Sequence, residues 1–491
     1  MNLRRLMVSV TFLLVMILAL RASIDTDTWW HLKSGEWIVE NRAIPELDPF
    51  SYTRVGQAWG YPALAWFSES LIYLLFTYLG VWALNLFVAL FVTVAFAFIY
   101  MTLSGGLFLR SFVLVLAVIT SGVYWAVRPY MFSFLFTAIT LWVLEDFRTR
   151  RKHRLWLLPV LMLVWVNSHP GFAVGFLLLA VYFAGEVIER VASEWPLHKA
   201  SVWEIFVHLR PLIVTGLLML LAGLVNASGL AGLRYPFDTL DIEFLSLINE
   251  WQSPDFNSQI MLPFMLMLFL VFGALGVSKE RIAASHFILL VGLTYMSLTA
   301  ARNIALFALA APIIISAHLA EPLESLSKRL KLGPAQPAGE RSTRLKAALN
   351  WVIVLLLAAE AVLRVVQVGA PDLTELKLSR QAPLGAIEYI QREKPPGRLF
   401  NSYNWGGYLI WALPEYPVFI DGRTDLYADG LLEDWLSVVQ AEAGWQEHLE
   451  RWDVQMVLIE PSRSLAQVLP FEGWELVFSD EQSVLFIRQD D

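Results

Sequence analysis

A succession of apolar runs, most of them long enough to cross a hydrocarbon layer about 30 Å thick, dominates this chain. They fall near 6–22, 62–79, 81–102, 107–127, 129–147, 155–168, 171–189, 209–228, 259–277, 282–300, 302–320 and 346–366. No water reaches backbone groups in that layer, so spans of this length fold as helices that pair their own N–H and C=O groups. Hydrophobic residues make up 57% of the 491 and charged residues 16%, which is the balance of a polytopic helical membrane bundle. The first run follows Arg4 and Arg5, as a secretory leader would. The bulky Arg21 before Ala22-Ser23 departs from the small-residue cleavage pattern, so the run reads as a retained first helix.

Lys and Arg in short loops set the orientation. The stretch Arg148-Thr-Arg-Arg-Lys-His-Arg154, the segment 328–346 with Lys328, Arg329, Lys331, Arg341, Arg344 and Lys346, and the Arg4-Arg5 pair are the basic loops. They place the N-terminus in the cytoplasm of a plasma-membrane protein and residues 371–491 outside, with 23–61, 168–171 and 229–258 as external loops. Opposite-sided termini need an odd number of crossings. Eleven of the twelve runs therefore cross, and one between 62 and 168 is a partial span. A transmembrane domain over 1–366, including the external loop 23–61, is joined to an external soluble domain over 371–491. The stretch Gly333-Pro-Ala-Gln-Pro-Ala-Gly339 reads as a flexible connection before the last helix.

The last 121 residues hold 21 Asp/Glu against 9 Lys/Arg, more than the whole chain's net charge of −8. Asp453 to Glu460 and Pro417 to Asp421 read as strands, Trp474 to Arg488 as a hairpin broken at Ser479-Asp480, and 383–392 and 431–451 as helices. That makes the tail a small α/β domain. Asp421, Arg423 and Asp425 read as a salt-bridged turn. Cysteine is absent, which rules out disulfides and thiolate metal sites. No basic stripe suggests nucleic acid, no Gly-rich phosphate loop follows a strand, and no repeat of twenty to fifty residues is evident.

The first external loop opens "SIDTDTWWHLKSGEW". Thr28 to Asn41 reads as a short amphipathic helix lying in the membrane interface, which puts Asp25 and Asp27 at the outer mouth of the first helix. Two readings of the pair stand open. Both residues suit a helix N-cap. Equally, a carboxylate at this depth can take a proton from an acceptor while a lipid-borne donor presents its reactive carbon, and a second carboxylate can share the proton or hold a divalent cation, with His31 as a further ligand.

The run Asp27-Thr-Trp-Trp-His-Leu, with Trp37, Asn41, Asp48 and Trp59-Gly-Tyr-Pro62, resembles the first external loop of the GT-C glycosyltransferases, which include the protein O-mannosyltransferases and the catalytic subunit of oligosaccharyltransferase. In the tail, "FNSYNWGGYLIWALPEYPVFIDGRTDLY" (400–427) resembles the segment around the Trp-Trp-Asp-Tyr-Gly motif of the latter. Here the five positions read Ser402-Tyr-Asn404-Trp-Gly406, with Asn404 in the acidic place and the leading tryptophan missing, a departure that bears on sequon recognition. The resemblance implies about eleven membrane helices and a sugar moved from a polyprenyl-phosphate carrier to a glycan, lipid or protein acceptor on the external face. It implies Asp27 as the catalytic carboxylate with Asp25 beside it, and a divalent metal as the one cofactor. Arg128, His169 and Arg302, near outer helix ends, are candidates for the donor phosphate or the acceptor, as is Asn404. The competing classes are a lipid or sugar transporter, for which acids inside spans would be expected, and a non-catalytic assembly protein whose tail binds a partner.

Overall fold

The structure, a computed structural model, describes residues 1–150, 154–195, 198–242, 248–330, 344–428 and 430–489. The expected connection over 333–339 and the basic residues Arg151, Lys152, Lys331 and Arg341 lie outside the described residues. Fourteen helices build the bundle and its loops: α1 Leu3–Ala19, α2 Thr28–Asn41, α3 Pro62–Leu79, α4 Val81–Thr102, α5 Leu107–Ser121, α6 Tyr130–Arg150, α7 Leu157–Trp165, α8 Ala173–Ser193, α9 Lys199–Gly223, α10 Leu230–Asp238, α11 Leu262–Val277, α12 Ala284–Thr299, α13 Ile304–Arg329 and α14 Arg344–Val368.

Among the described residues, nine helical segments combine the length and apolarity of a membrane span. The helices α1, with 17 residues, and α12, with 16, are apolar but shorter. The run at 155–168 yields only the nine-residue α7, about 14 Å long, which is too short to cross. Among the helices formed by the runs between 62 and 168 it is the shortest. Helices α4, α6 and α13 form the interior, where small residues such as Ala89, Ala95, Ala138 and Ala308 are buried and let the helices approach closely.

Arg4, Arg148, Arg150, Lys328, Arg329 and Arg344 gather at the end of the bundle away from the tail. There Glu145 is buried, accepting from the Tyr182 hydroxyl at 2.5 Å, His286 Nε2 at 2.7 Å and Arg148 at 2.9 Å. At the opposite end Asn85 Nδ2 donates to Val368 O at 3.0 Å and Lys377 Nζ to Ala22 O at 2.6 Å. These bonds tie the exits of α1 and α14 and the start of α4 beneath the tail.

The tail comprises α15 Pro371–Leu378, α16 Leu384–Glu393, β1 Arg398–Asn401, α17 Tyr403–Ala412, α18 Leu431–Gln440, α19 Trp445–Arg451, β2 Val454–Ile459, α20 Ser464–Val468, β3 Trp474–Ser479 and β4 Val484–Arg488. Its sheet has the order β1-β2-β4-β3, with β1 parallel to β2 and the other pairs antiparallel. The chain is thus a helical membrane bundle carrying a small α/β tail, as the sequence leads one to expect. Two local expectations need correction. The helix expected over 431–451 breaks into α18 and α19, because Ala441 and Gly444 turn at φ 55° and 90°. Val418 to Asp421 is buried but the stretch from Pro417 joins no sheet, since its backbone is claimed elsewhere: Val418 N–H donates to Phe50 O and Tyr52 N–H to Val418 O, both at 3.2 Å.

Helix α2 has the expected bounds but a different setting. It lies between α3 and α17, with Trp29, Trp30, His31, Leu32, Ser34, Gly35 and Ile38 buried. Trp29 packs edge-on against Tyr408, and Gly35 sits so close to the Glu69 backbone that a Cβ there would clash. Protein covers the face expected to meet lipid headgroups. Trp30, Phe50 and Trp59 belong to the same apolar core as the tail.

Candidate active site

Three chain segments meet at the tail-side end of the bundle. The first is the turn Ser23–Asp27 between α1 and α2. The second is the Trp125–Arg128 segment before α6, which is laid alongside the first by Val127 N–H donating to Ser23 O at 3.0 Å. The third is the tail's Asp421–Asp425 turn.

Asp25 and Asp27, two residues apart, do different things. Asp25 Oδ1 accepts from the Thr28 N–H at 3.0 Å and from the Thr28 hydroxyl at 2.9 Å, while its own N–H donates to Thr28 Oγ1. It is Asp25 that caps α2. Asp27 occupies the N-cap position yet makes no capping bond with its side chain. Both carboxylates are held by Arg128: Nε and Nη2 reach Asp25 Oδ2, each at 2.6 Å, and Nη1 reaches Asp27 Oδ2 at 2.7 Å. The other Asp27 oxygen, Oδ1, faces Gly422 of the tail. Burial raises the Asp27 carboxyl to about 6 against the pull of Arg128, and the neighbouring charges of Asp25, Glu250 and Asp421 add to the rise.

The tail clamps this turn through close backbone approaches. On α17, Gly407 abuts Thr26 O and the Trp30 ring, and Gly406 abuts Ile420 O and Asp421. A side chain at either would force the elements apart. Arg423, fully buried, forks onto both oxygens of Asp421 at 2.8 and 2.6 Å and also pairs with Asp48 of the first loop. The Tyr427 hydroxyl donates to Asp421 at 2.6 Å. Thr53 Oγ1 donates to Phe419 O at 2.6 Å. Asp425 accepts instead from Tyr235 of α10 at 2.6 Å, and burial pushes its carboxyl upward. The turn is salt-bridged between Arg423 and Asp421, as expected, and it also joins the tail to the first loop and to α10.

The remaining candidates divide. His31 is turned away from the aspartates: its Nδ1 pairs with Glu69 Oε1 of α3 at 2.9 Å, both side chains are buried, and burial drives its pKa well below the ordinary value. His169 Nδ1 accepts from Gly171 N–H at 2.9 Å and lies 2.8 Å from Ser133 Oγ, so the ring proton is assigned to Nε2. Burial, with the charge of Arg302, lowers its pKa to about 3, and the ring is neutral. Arg302 stacks on Trp251 at 4.1 Å and reaches Glu250 at 3.5 Å. Glu250 in turn lies in the electrostatic field of Arg128 and Asp27. Asn404 is exposed on the first turn of α17.

Two expectations change here. Arg128, a candidate for phosphate, has its guanidinium engaged by the two aspartates. The set Asp25, Asp27 and His31 does not fit a divalent cation, because Arg128 and Glu69 hold these side chains, and no group of three His, Cys, Asp or Glu converges on a metal position among the described residues. Sequence reasoning passed over Glu69, Glu250, Gly406, Gly407 and Gly422. Two signals pointed to three of these: an acid inside an apolar run for Glu69, and paired glycines inside a helix for Gly406 and Gly407.

No family model and no curated protein sequence matches the chain. Among solved structures, the apo form of the Archaeoglobus fulgidus oligosaccharyltransferase superposes with a TM-score of 0.53 at 12% identity, over 92% of this chain and 69% of that one. The same enzyme tethered to an acceptor peptide containing an NVT sequon gives 0.53 at 13%, over 94% and 69%. The archaeal oligosaccharyltransferase AglB from Archaeoglobus fulgidus, in complex with an inhibitory peptide and a dolichol-phosphate, gives 0.51 at 12%, over 93% and 70%. The chain has the fold of these oligosaccharyltransferase structures, as the resemblance of the first loop and the tail implies.

Proposed function

We propose that this protein is a membrane glycosyltransferase that moves a sugar from a polyprenyl-phosphate-linked donor to an acceptor on the external face, with Asp27 as the catalytic base. The observation that carries this reading is the place of Asp27. One carboxylate oxygen is oriented by Arg128, the other faces the tail, and the whole stands where the bundle ends. An acceptor entering from the tail side would give its proton to Asp27 as its heteroatom bonds to the sugar C1. The C1–O bond to phosphate breaks, and the polyprenyl phosphate leaves with the electron pair.

The donor has a route to this point. A groove of about 580 Å³ between α11 and α12 is lined by Leu275, Phe287, Leu290, Val291, Tyr295 and Leu298 among others. On α12 these residues repeat at helical spacing along one face, and the groove ends at Leu298, just before Arg302. A polyprenyl chain lying there would bring its phosphate to the guanidinium of Arg302, with the Nε2–H of His169 as a further donor. The similar fold found tethered to an acceptor peptide and in complex with a dolichol-phosphate supports a lipid-phosphate donor. The tail presents Ser402-Tyr-Asn404 where the oligosaccharyltransferase motif carries an acid, and Tyr403 bonds Thr424 at 2.7 Å, so an acceptor other than a sequon asparagine fits the tail better.

The test uses purified full-length protein in nanodiscs with a panel of polyprenyl-phosphate monosaccharides. Wild type releases polyprenyl phosphate in the presence of an acceptor extract and Asp27→Asn does not. Equal release by both would end the assignment of Asp27.

A further inference from the structure

We infer that Arg128 is a built-in counter-cation for the Asp25–Asp27 pair, standing where a divalent ion would otherwise bridge the two carboxylates. The inference rests on the transferase reading for its consequence, but the geometry stands by itself. Three guanidinium nitrogens make contacts of 2.6, 2.6 and 2.7 Å to one oxygen of each carboxylate. The second Asp25 oxygen is spent on the Thr28 cap. His31, the nearest nitrogen ligand in sequence, is taken by Glu69. An oxygen-loving dication would need the same inward-facing oxygens and several further ligands, and the guanidinium already holds them.

The backbone fixes the guanidinium in place. Val127 N–H donates to Ser23 O, and Arg128 O accepts from Met131 N–H at 3.1 Å to open α6, so Arg128 is anchored at a helix start beside the aspartate turn. A planar fork that spans two carboxylates is a task Lys cannot copy. One positive charge against two negative ones leaves a net charge of −1, which keeps Asp27 basic without the deeper charge neutralisation that a dication would impose. Arg128 touches the catalytic carboxylate rather than the reacting atoms, so it is a positioning residue. The charge that develops on the leaving phosphate is then met by a different cation, and Arg302 is the one placed for it.

Metal binding is read directly, without sugar transfer, by electron paramagnetic resonance of Mn²⁺ titrated into EDTA-stripped full-length protein in nanodiscs. Wild type is expected to bind no Mn²⁺ up to about 1 mM, the range of the weakest protein sites for such cations. Arg128→Met, which opens the pair, is expected to bind it at least tenfold more tightly, and adding Asp27→Asn should abolish that gain. Arg128→Gln, with an uncharged amide in the same place, is run alongside because Met leaves two carboxylates facing each other and can unsettle the fold. Stoichiometric Mn²⁺ in wild type that Asp25→Asn or Asp27→Asn releases would overturn the inference, and so would failure of both folded Arg128 variants to gain a site. Neither result bears on whether a sugar is transferred, so the two readings fail separately.

Discussion

Gly422 of the tail lies against the carboxylate of Asp27, and a methyl group built on it would overlap Oδ1. The two residues belong to opposite ends of the chain and to different structural layers. Their contact makes the tail one wall of the site.

That contact can be tested by Gly422→Ala. Gly422 is not among the glycines with positive φ, so the substitution acts through collision and not through backbone strain. Displacing Asp27 by a fraction of an ångström should cut transfer at least about tenfold, equivalent to ~1.4 kcal/mol, while the melting temperature stays within a few degrees. A wild-type rate would mean that the tail does not define the site.

Asp25 and Asp27 should separate stability from activity. Asp25→Ala removes the α2 cap and one partner of Arg128, and should cost more than about 1 kcal/mol in thermal unfolding. Asp27→Asn leaves the cap intact and should not lower stability near neutral pH, while abolishing transfer. If Asp27 substitutions destabilise and Asp25 substitutions only inactivate, the two assignments must be exchanged.

For Arg302 the measurement is binding of polyprenyl phosphate to the purified protein. Arg302→Lys keeps the charge but loses the stacking on Trp251 and the planar fork, and should weaken binding about tenfold. Arg302→Ala should weaken it further. Unchanged affinity in both would make Arg302 an interfacial anchor.

The pH dependence has a definite sign. Asp27 must be ionised to act as a base, so transfer should rise with pH through about 6 and then level off. Its folded pKa lies above the ordinary 3.8, so between 3.8 and about 6 the folded state holds a proton that the unfolded state has lost. Stability therefore falls as pH rises through that window, and Asp27→Asn should flatten the fall. A rate that drops on going from about pH 5 to about pH 7 would contradict the role of base.

Orientation is open to labelling because the chain has no cysteine. Ser462 in the tail and Thr149 at the far end of α6 are both exposed. Single cysteines there should respond oppositely to an impermeant maleimide on intact cells: Ser462→Cys labelled, Thr149→Cys protected. Labelling of the Thr149 position alone would invert the topology. Ser34, on α2, is buried and would not report.

Much of the architecture was legible because it depends on local composition. Apolar runs of membrane length must be helices wherever they pack, and β2 and the β3–β4 hairpin follow from short β-prone stretches bounded by turn residues. The bounds of α2 were readable for the same reason. Its surroundings were not, since an apolar face looks alike in sequence whether it is covered by lipid or by α17. The same ambiguity led to a strand at 417–421, where a buried extended segment pairs with the first loop instead of the sheet.

The site divides in the same way. That Asp25 and Asp27 stand at the mouth of the first helix is a fact of sequence order, and the family resemblance drew on that order and on the motifs of the first loop and the tail. Which of the two caps the helix depends on a single turn's geometry, and Arg128 becomes their shared partner only through the bond from Val127 to Ser23. His31 turns to Glu69, and Gly406, Gly407 and Gly422 come to sit where a Cβ would clash, because distant segments are pressed into contact. Residue type specifies which groups can carry charge or permit close approach. Only tertiary packing sets the distances of a few ångströms over which charges pair and backbones touch, and those distances decide which carboxylate caps α2 and which faces the tail.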